Sequence, residues 1–210
     1  MKFFPIISRR TNYVGVSRIY SYRKYKDEIS EDCAFRCVYC DCHCNSFGGH
    51  AAMELDHFRP KSERYFPELE DDPANLLLAC RSCNGKKRDD WPMDKLGGLT
   101  HFEGVGYIDP FESERTLYFH VENCGSFSAK EDPAAYMIEQ LALNRPFAVA
   151  VRARRILRGK LHAAIDSLAE ELRSMEGSSP QAGQLGRIAD LLQEANRALR
   201  KLELEDCPAL

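Results

Sequence analysis

The chain has 210 residues with a hydrophobic fraction of 44%, enough for one large domain or a core domain with an appended lobe. No apolar run approaches a membrane span, and the patch Met1 to Ile7, ending before Arg9-Arg10, is too short for a secretory signal, so a cytoplasmic protein without a membrane is expected. A net charge of −3 excludes a uniformly basic chain, yet residues 1–26 hold seven Lys/Arg and no acid, and residues 141–160 hold six and no acid. Such blocks can track phosphates or form a solvated helix face.

In chain order, residues 14–30 carry a loose helical pattern through Val14, Ile19, Tyr22, Tyr25 and Ile29. The tyrosines there are expected to pack on the core rather than stack on bases. Cys33 to Cys44 is loop-like, with Gly48-Gly49 after it. Ala51 to His57 is expected as a strand, and Pro60, Pro67 and Pro73 make 60–75 irregular. Leu76 to Ala79 is a buried run, followed by a short helix over Arg81 to Arg88 that stops before Trp91-Pro92.

A boundary is placed at residue 92. Beyond it, 93–210 forms a second lobe whose loops are marked by Gly97-Gly98, Gly104 and Gly106. Thr116 to Val121 is expected as a strand, with a turn at Asn123-Cys124-Gly125 leading into Ser126 to Ser128. Asp132-Pro133 offers an N-cap followed by proline for a helix ending near Leu143, and Asn144 can cap the next one. The last sixty residues are the most regular. Leu157, Leu161, Ala164, Leu168, Leu172 and Met175 recur at steps of three or four, as do Leu185, Ile188, Leu192, Ala195, Leu199 and Leu202. Glu176 to Pro180 separates the runs, which predicts two long helices folded into an antiparallel hairpin. Leu191, Ile156 and Ile165 fall off these stripes and call for a second surface: the core, another copy, or a partner protein.

Nine cysteines without a secretory signal favour metal over disulfides. Cys37 and Cys40 form one Cys-x-x-Cys pair, and Cys80 and Cys83 form another. Together they suit a tetrahedral four-thiolate Zn2+ site that clamps the ends of an inserted module. Cys33, Cys42, His43 and Cys44 are spare thiols or a second set without a distal pair, and Cys124 and Cys207 are isolated.

Inside that clamp lies Glu54-Leu55-Asp56-His57-Phe58-Arg59-Pro60, then Asn75-Leu76, then Cys83-Asn84. His57 can act as a base near neutral pH, and Asp56 is a hard oxygen donor suited to Mg2+. Neighbours on a regular strand face opposite ways, so both reach one site only if the strand ends or twists there. Asn84 can add an amide oxygen to the same ion. Arg59, Lys61, Lys86 and Lys87 can hold the scissile phosphate or stay solvated; Lys87 is the best placed, one helical turn from Asn84, and Arg59 is named with it for substrate binding. Glu54 can add to the acid cluster but is expected as a charge on the strand face.

This constellation resembles the HNH endonuclease family and its ββα-metal fold, through Asp56-His57 with Pro60, Asn75-Leu76, and Cys83-Asn84 with Lys87. The resemblance covers Cys37 to Lys87 and implies an α+β protein: a ββα-metal core clamped by the four-cysteine zinc site, with a mainly helical C-terminal lobe. It further implies a metal-dependent endonuclease acting on DNA. His57 is then the general base, Asp56 and Asn84 are the Mg2+ or Mn2+ ligands, and Asn75 braces the loop that orients the histidine. Asn84 stands where many members have histidine, which favours hard ions. The order D-H-F-R-P-K-S, N-L-L-L-A-C-R-S-C-N and L-x-L-N-R (Leu141 to Arg145) also resembles the HNH proteins of bacterial anti-phage systems, Septu-type and retron-associated. That resemblance implies an ATPase partner. The alternative is a zinc-stabilised nucleic-acid-binding or interaction subunit without catalysis.

Overall fold

A computed structural model describes residues 3–175 and 182–206. The chain divides into two compact units, Lys2–Arg152 and Ala153–Leu210. The first is built around a hairpin of β1 (Met53–His57) and β2 (Leu76–Cys80), paired antiparallel from Met53 opposite Cys80 to His57 opposite Leu76. Helix α1 (Lys26–Asp32) packs on β2, and α2 (Arg81–Lys87) packs on β1 and β2. Covered in this way, Leu76, Leu77, Leu78 and Ala79 have no exposed surface, which is why β2 is a continuous apolar run rather than an alternating one.

The N-terminal helix is shorter than the expected 14–30. A single tight turn at Tyr22–Tyr25 leads into α1. Residues before it stay irregular because the Glu28 carboxylate accepts the backbone N–H groups of Val14 (3.0 Å) and Gly15 (2.8 Å). Gly15 has φ +69, and a Cβ there would lie 2.8 Å from the Lys24 side chain. Tyr22 and Tyr25 pack against the core as expected, while Tyr20 is exposed.

Residue 92 lies inside the first unit. Trp91 stacks on Tyr107 with ring centroids 6.5 Å apart and also meets Phe58 and Phe66 edge-on. Two short hairpins follow: β3 (His101–Phe102) with β4 (Val105–Gly106), and β5 (Phe119–Val121) with β6 (Phe127–Ala129). The strand expected over Thr116 to Val121 is half helix: α3 (Arg115–Tyr118) precedes β5. The buried Arg115 side chain pins that turn, donating to the carbonyls of Val38 (2.9 Å) and Pro5 (3.0 Å).

Helix α4 (Ala134–Gln140) starts beside Asp132-Pro133, but no side chain caps it. Asn144 does not serve as a simple helix cap either. Its Oδ1 accepts from the Phe127 backbone N–H (2.7 Å) and its Nδ2 donates to the Phe127 carbonyl (2.8 Å), locking it to β6.

Two long helices complete the chain, α5 (Pro146–Met175) and α6 (Ala182–Asp206). The break expected over Glu176 to Pro180 and the isolated Cys207 lie outside the described residues. On α6 the expected stripe appears, with Ile188 and Leu202 buried and Leu191 exposed off it. Leu185 at the start of α6 is exposed; on α5, Leu161, Leu168, Leu172 and Met175 are half-buried as expected, whereas Leu157 is exposed and Ile165 takes the place of Ala164. No helix among the described residues is long and apolar enough to cross a membrane.

Candidate active site

The four cysteines come from two places that the hairpin joins. Cys37 and Cys40 lie on the turn after α1, where the Val38 N–H bonds the Leu78 carbonyl (3.0 Å) and so docks the turn along β2. Cys80 ends β2 and Cys83 lies in α2. The Sγ atoms of Cys37, Cys40, Cys80 and Cys83 all lie within 4.8 Å of one another, and all four residues are buried. Among the described residues no other set of three or more potential ligands meets this condition. Burial pushes the Cys37 thiol up, while hydrogen bonding from Cys37 holds Cys40 well down. Four soft thiolates at this spacing suit zinc. Cys42 turns away, its Sγ donating to the Cys40 carbonyl (3.6 Å), and Cys33 and Cys44 are buried outside the set.

His57 ends β1 and is 8% exposed. Its Nε2 lies 2.9 Å from the carbonyl oxygen of Glu70. A carbonyl only accepts, so Nε2 carries the hydrogen and Nδ1 keeps the lone pair of the neutral ring. Tyr22 meets the ring edge-on at 4.6 Å. Burial lowers the histidine below its usual range, the Glu70 carbonyl opposes that shift, and the ring is neutral at neutral pH. Lys61 pairs with Glu70 and lies 4.5 Å over the Tyr22 ring, which places a partly exposed cation beside the histidine.

Asn75 braces the turn that follows. Its Nδ2 donates to the Arg59 carbonyl (2.9 Å) and its Oδ1 accepts the Arg59 N–H (2.8 Å), while its own carbonyl accepts the Phe58 N–H (2.8 Å). Asn75→Ala is expected to cost about 1–3 kcal/mol, because both Arg59 backbone groups lose their partner. Urea unfolding checks this, and an unchanged midpoint would show that the brace is idle.

The contacts of Asp56 and His57 diverge, as strand alternation requires. Asp56 Oδ2 accepts from the Tyr39 hydroxyl and lies 3.6 Å from Lys87 Nζ. Burial raises the Asp56 carboxyl, and Lys87 and Tyr39 offset part of that rise. Lys87 is 0% exposed and donates to the His57 carbonyl (2.8 Å). Its expected contact with a phosphate is therefore corrected: an enclosed ammonium ties α2 to β1 and offers nothing to a substrate. Arg59 is half-buried, its guanidinium lying over Phe66 (5.2 Å) and Trp91 (5.3 Å) and donating to the Gly98 carbonyl (2.9 Å).

Asn84 meets Glu54 instead of Asp56. Its Nδ2 donates to Glu54 Oε2 (2.8 Å), which leaves the amide Oδ1 as the atom available to a hard cation. Glu54 and Asn84 line an open cleft of about 490 Å³ together with Tyr22, Arg23 and Lys26. The strand period could have found Glu54, which shares a face with Asp56 at i, i+2. Tyr22, Tyr39 and Glu70 carry no comparable local signal. A buried carboxyl at Asp56, an open amide oxygen at Asn84 and a second carboxylate at Glu54 are donors of the type that Mg2+ or Mn2+ takes.

An antiparallel hairpin, a short helix and a histidine at a strand end fill the stretch from Cys37 to Lys87. The HNH endonuclease family model matches residues 37–90, so this stretch is an HNH endonuclease domain within an α+β chain that has a helical C-terminal part. The same region is similar to Septu protein PtuB of Bacillus thuringiensis, 42% identical over 52 residues. That match spans 25% of this chain and 19% of the relative's length. No solved structure matches the chain.

Proposed function

We propose that the protein is a metal-dependent HNH endonuclease that hydrolyses DNA phosphodiester bonds. The observation that carries this reading is His57, whose Nε2–H is held by the Glu70 carbonyl so that Nδ1 is the basic atom. Nδ1 would take the proton of the attacking water. Asn75 would keep the following turn, and with it the ring, in place. Lys61, Arg23 and Lys26 would draw in the strand, since they are the cations around the histidine and the cleft. Asp56 and Asn84 would hold a divalent ion, Mg2+ or Mn2+, whose chemistry there is Lewis-acid stabilisation of charge on the phosphate and the leaving oxygen. Glu54 would orient the Asn84 amide through their hydrogen bond. The four cysteines would hold Zn2+ as a structural ion.

The purified full chain should cut DNA when Mg2+ or Mn2+ is added and stop when EDTA removes it. A chain that binds DNA but cuts with neither ion would instead be a zinc-stabilised binding module. The similarity to the Septu protein supports a place as the nuclease subunit of an anti-phage system, beside an ATPase. If so, adding a candidate ATPase should change the cleavage rate, and an unchanged rate with every candidate would remove this part of the reading.

A further inference from the structure

The L-x-L-N-R element, Leu141 to Arg145, lies outside the matched residues 37–90, and the catalytic reading does not use it. The fold brings it against the four-cysteine cluster. Leu141 and Leu143 have no exposed surface, and Asn144 is clamped to Phe127 by two hydrogen bonds. The buried Arg152, one and a half to two turns along α5, fixes the same loop by donating to the carbonyls of Leu143 (2.9 Å) and Cys40 (3.2 Å). Held between these anchors, the Arg145 guanidinium reaches three of the four sulfurs. Its Nη1 lies 3.4 Å from Cys83 Sγ, and its Nη2 lies 3.2 Å from Cys80 Sγ and 3.5 Å from Cys40 Sγ.

The physics behind this contact is charge balance. Four thiolates around a dication leave a net negative charge, and this cluster is buried. Negative charge away from water needs a hydrogen-bonded partner of opposite sign. A guanidinium carries five N–H donors in a planar fork and can serve several sulfurs at once, which a single ammonium cannot do as well. N–H···S bonds withdraw electron density from the thiolates, and groups in this outer position commonly set how firmly the metal is kept.

We propose that Arg145 is the counter-charge of the metal centre: by donating to Cys40, Cys80 and Cys83 it holds the ion in an HNH domain to which it does not itself belong. The inference rests on the proposed zinc site, and the experiment separates the two. Metal analysis of the wild-type full chain comes first, and a chain without about one equivalent of zinc would refute the zinc reading and this proposal with it. Zinc transfer to a chromogenic chelator is then timed for wild type and Arg145→Gln, and Co2+-loaded proteins are compared by their thiolate-to-cobalt charge-transfer band. Arg145→Gln is expected to weaken metal retention roughly 10- to 100-fold and to move the band to lower energy. Gly15→Ala serves as the structural control: strained at φ +69 and crowded by Lys24, it should lower the melting temperature while leaving the band in place. If Arg145→Gln does not fold, Arg145→Met decides, because it removes both the charge and every N–H donor, and the band must then move. Metal retention and a band both equal to wild type, in whichever Arg145 variant folds, would overturn the proposal.

Discussion

His57→Ala is expected to abolish DNA cleavage, with a loss of ~10²–10⁴-fold for removal of a general base. In barrier terms that is about 3–5.5 kcal/mol. The variant should nevertheless fold and keep its four-cysteine metal. The imidazole packs at its edge on Tyr22 and makes one hydrogen bond, to the carbonyl of the exposed Glu70, where water can replace it. Pairing of β1 with β2 runs through the backbone and does not need the ring. Circular dichroism and metal content should match wild type while the cleavage rate falls, and added imidazole should restore part of the rate. Cleavage within a few-fold of wild type would end the assignment of His57 as the base. Loss of folding together with activity would make the residue a structural histidine instead.

Cys80→Ser should have the opposite profile. Cys80 ends β2 opposite Met53 and opens into α2, so the ion it helps to hold would tie the hairpin and helix to the Cys37–Cys40 turn. Structural zinc contributes folding free energy directly, on the order of 10 kcal/mol or more in small zinc peptides. Here the cluster sits on an existing core, so a smaller loss is expected, and the melting temperature should fall by roughly 10 °C. Zinc should be released, and activity should fall as a consequence. Asp56→Asn is the matched comparison. It keeps an acceptor for the Tyr39 hydroxyl and should keep zinc, while divalent-dependent cleavage drops. Asp56→Ala is a poorer choice than the motif alone suggests. It would strand the enclosed Lys87 and the Tyr39 hydroxyl, and breaking such a buried pair costs about 3–5 kcal/mol. Equal losses of zinc in Cys80→Ser and Asp56→Asn would mean that the two metal sites have been wrongly separated.

Much of the site was legible because its signals are local. Two Cys-x-x-Cys pairs specify four thiolates whatever lies between them, and an apolar run flanked by turn residues and a short polar helix specifies the hairpin and its helix. The histidine at the end of a strand and the asparagine after a proline-marked turn stand where the same local signals place them. The helical repeats near the C-terminus are long enough for periodicity to identify both helices, although it misplaced the stripe of α5 by the position of Leu157 and Ala164.

Partnership over long separations was decided only by the tertiary structure. Lys87 has the spacing of a substrate-facing residue, yet packing of α2 on β1 encloses it against Asp56 and the His57 carbonyl. Glu54 looked like a surface charge until the short helix brought Asn84 to it across 30 positions. Asn144 has the type and place of a helix cap, but the Phe127 backbone takes both ends of its amide. Arg145 belongs to a basic block that reads equally well as a solvated face. Only the fold carries it across 105 positions to Cys40, because a buried set of thiolates attracts a cation from wherever the chain can supply one. Residue type and spacing state which groups can bind a metal or move a proton, whereas burial and charge compensation, which depend on the whole packed chain, decide which groups face them.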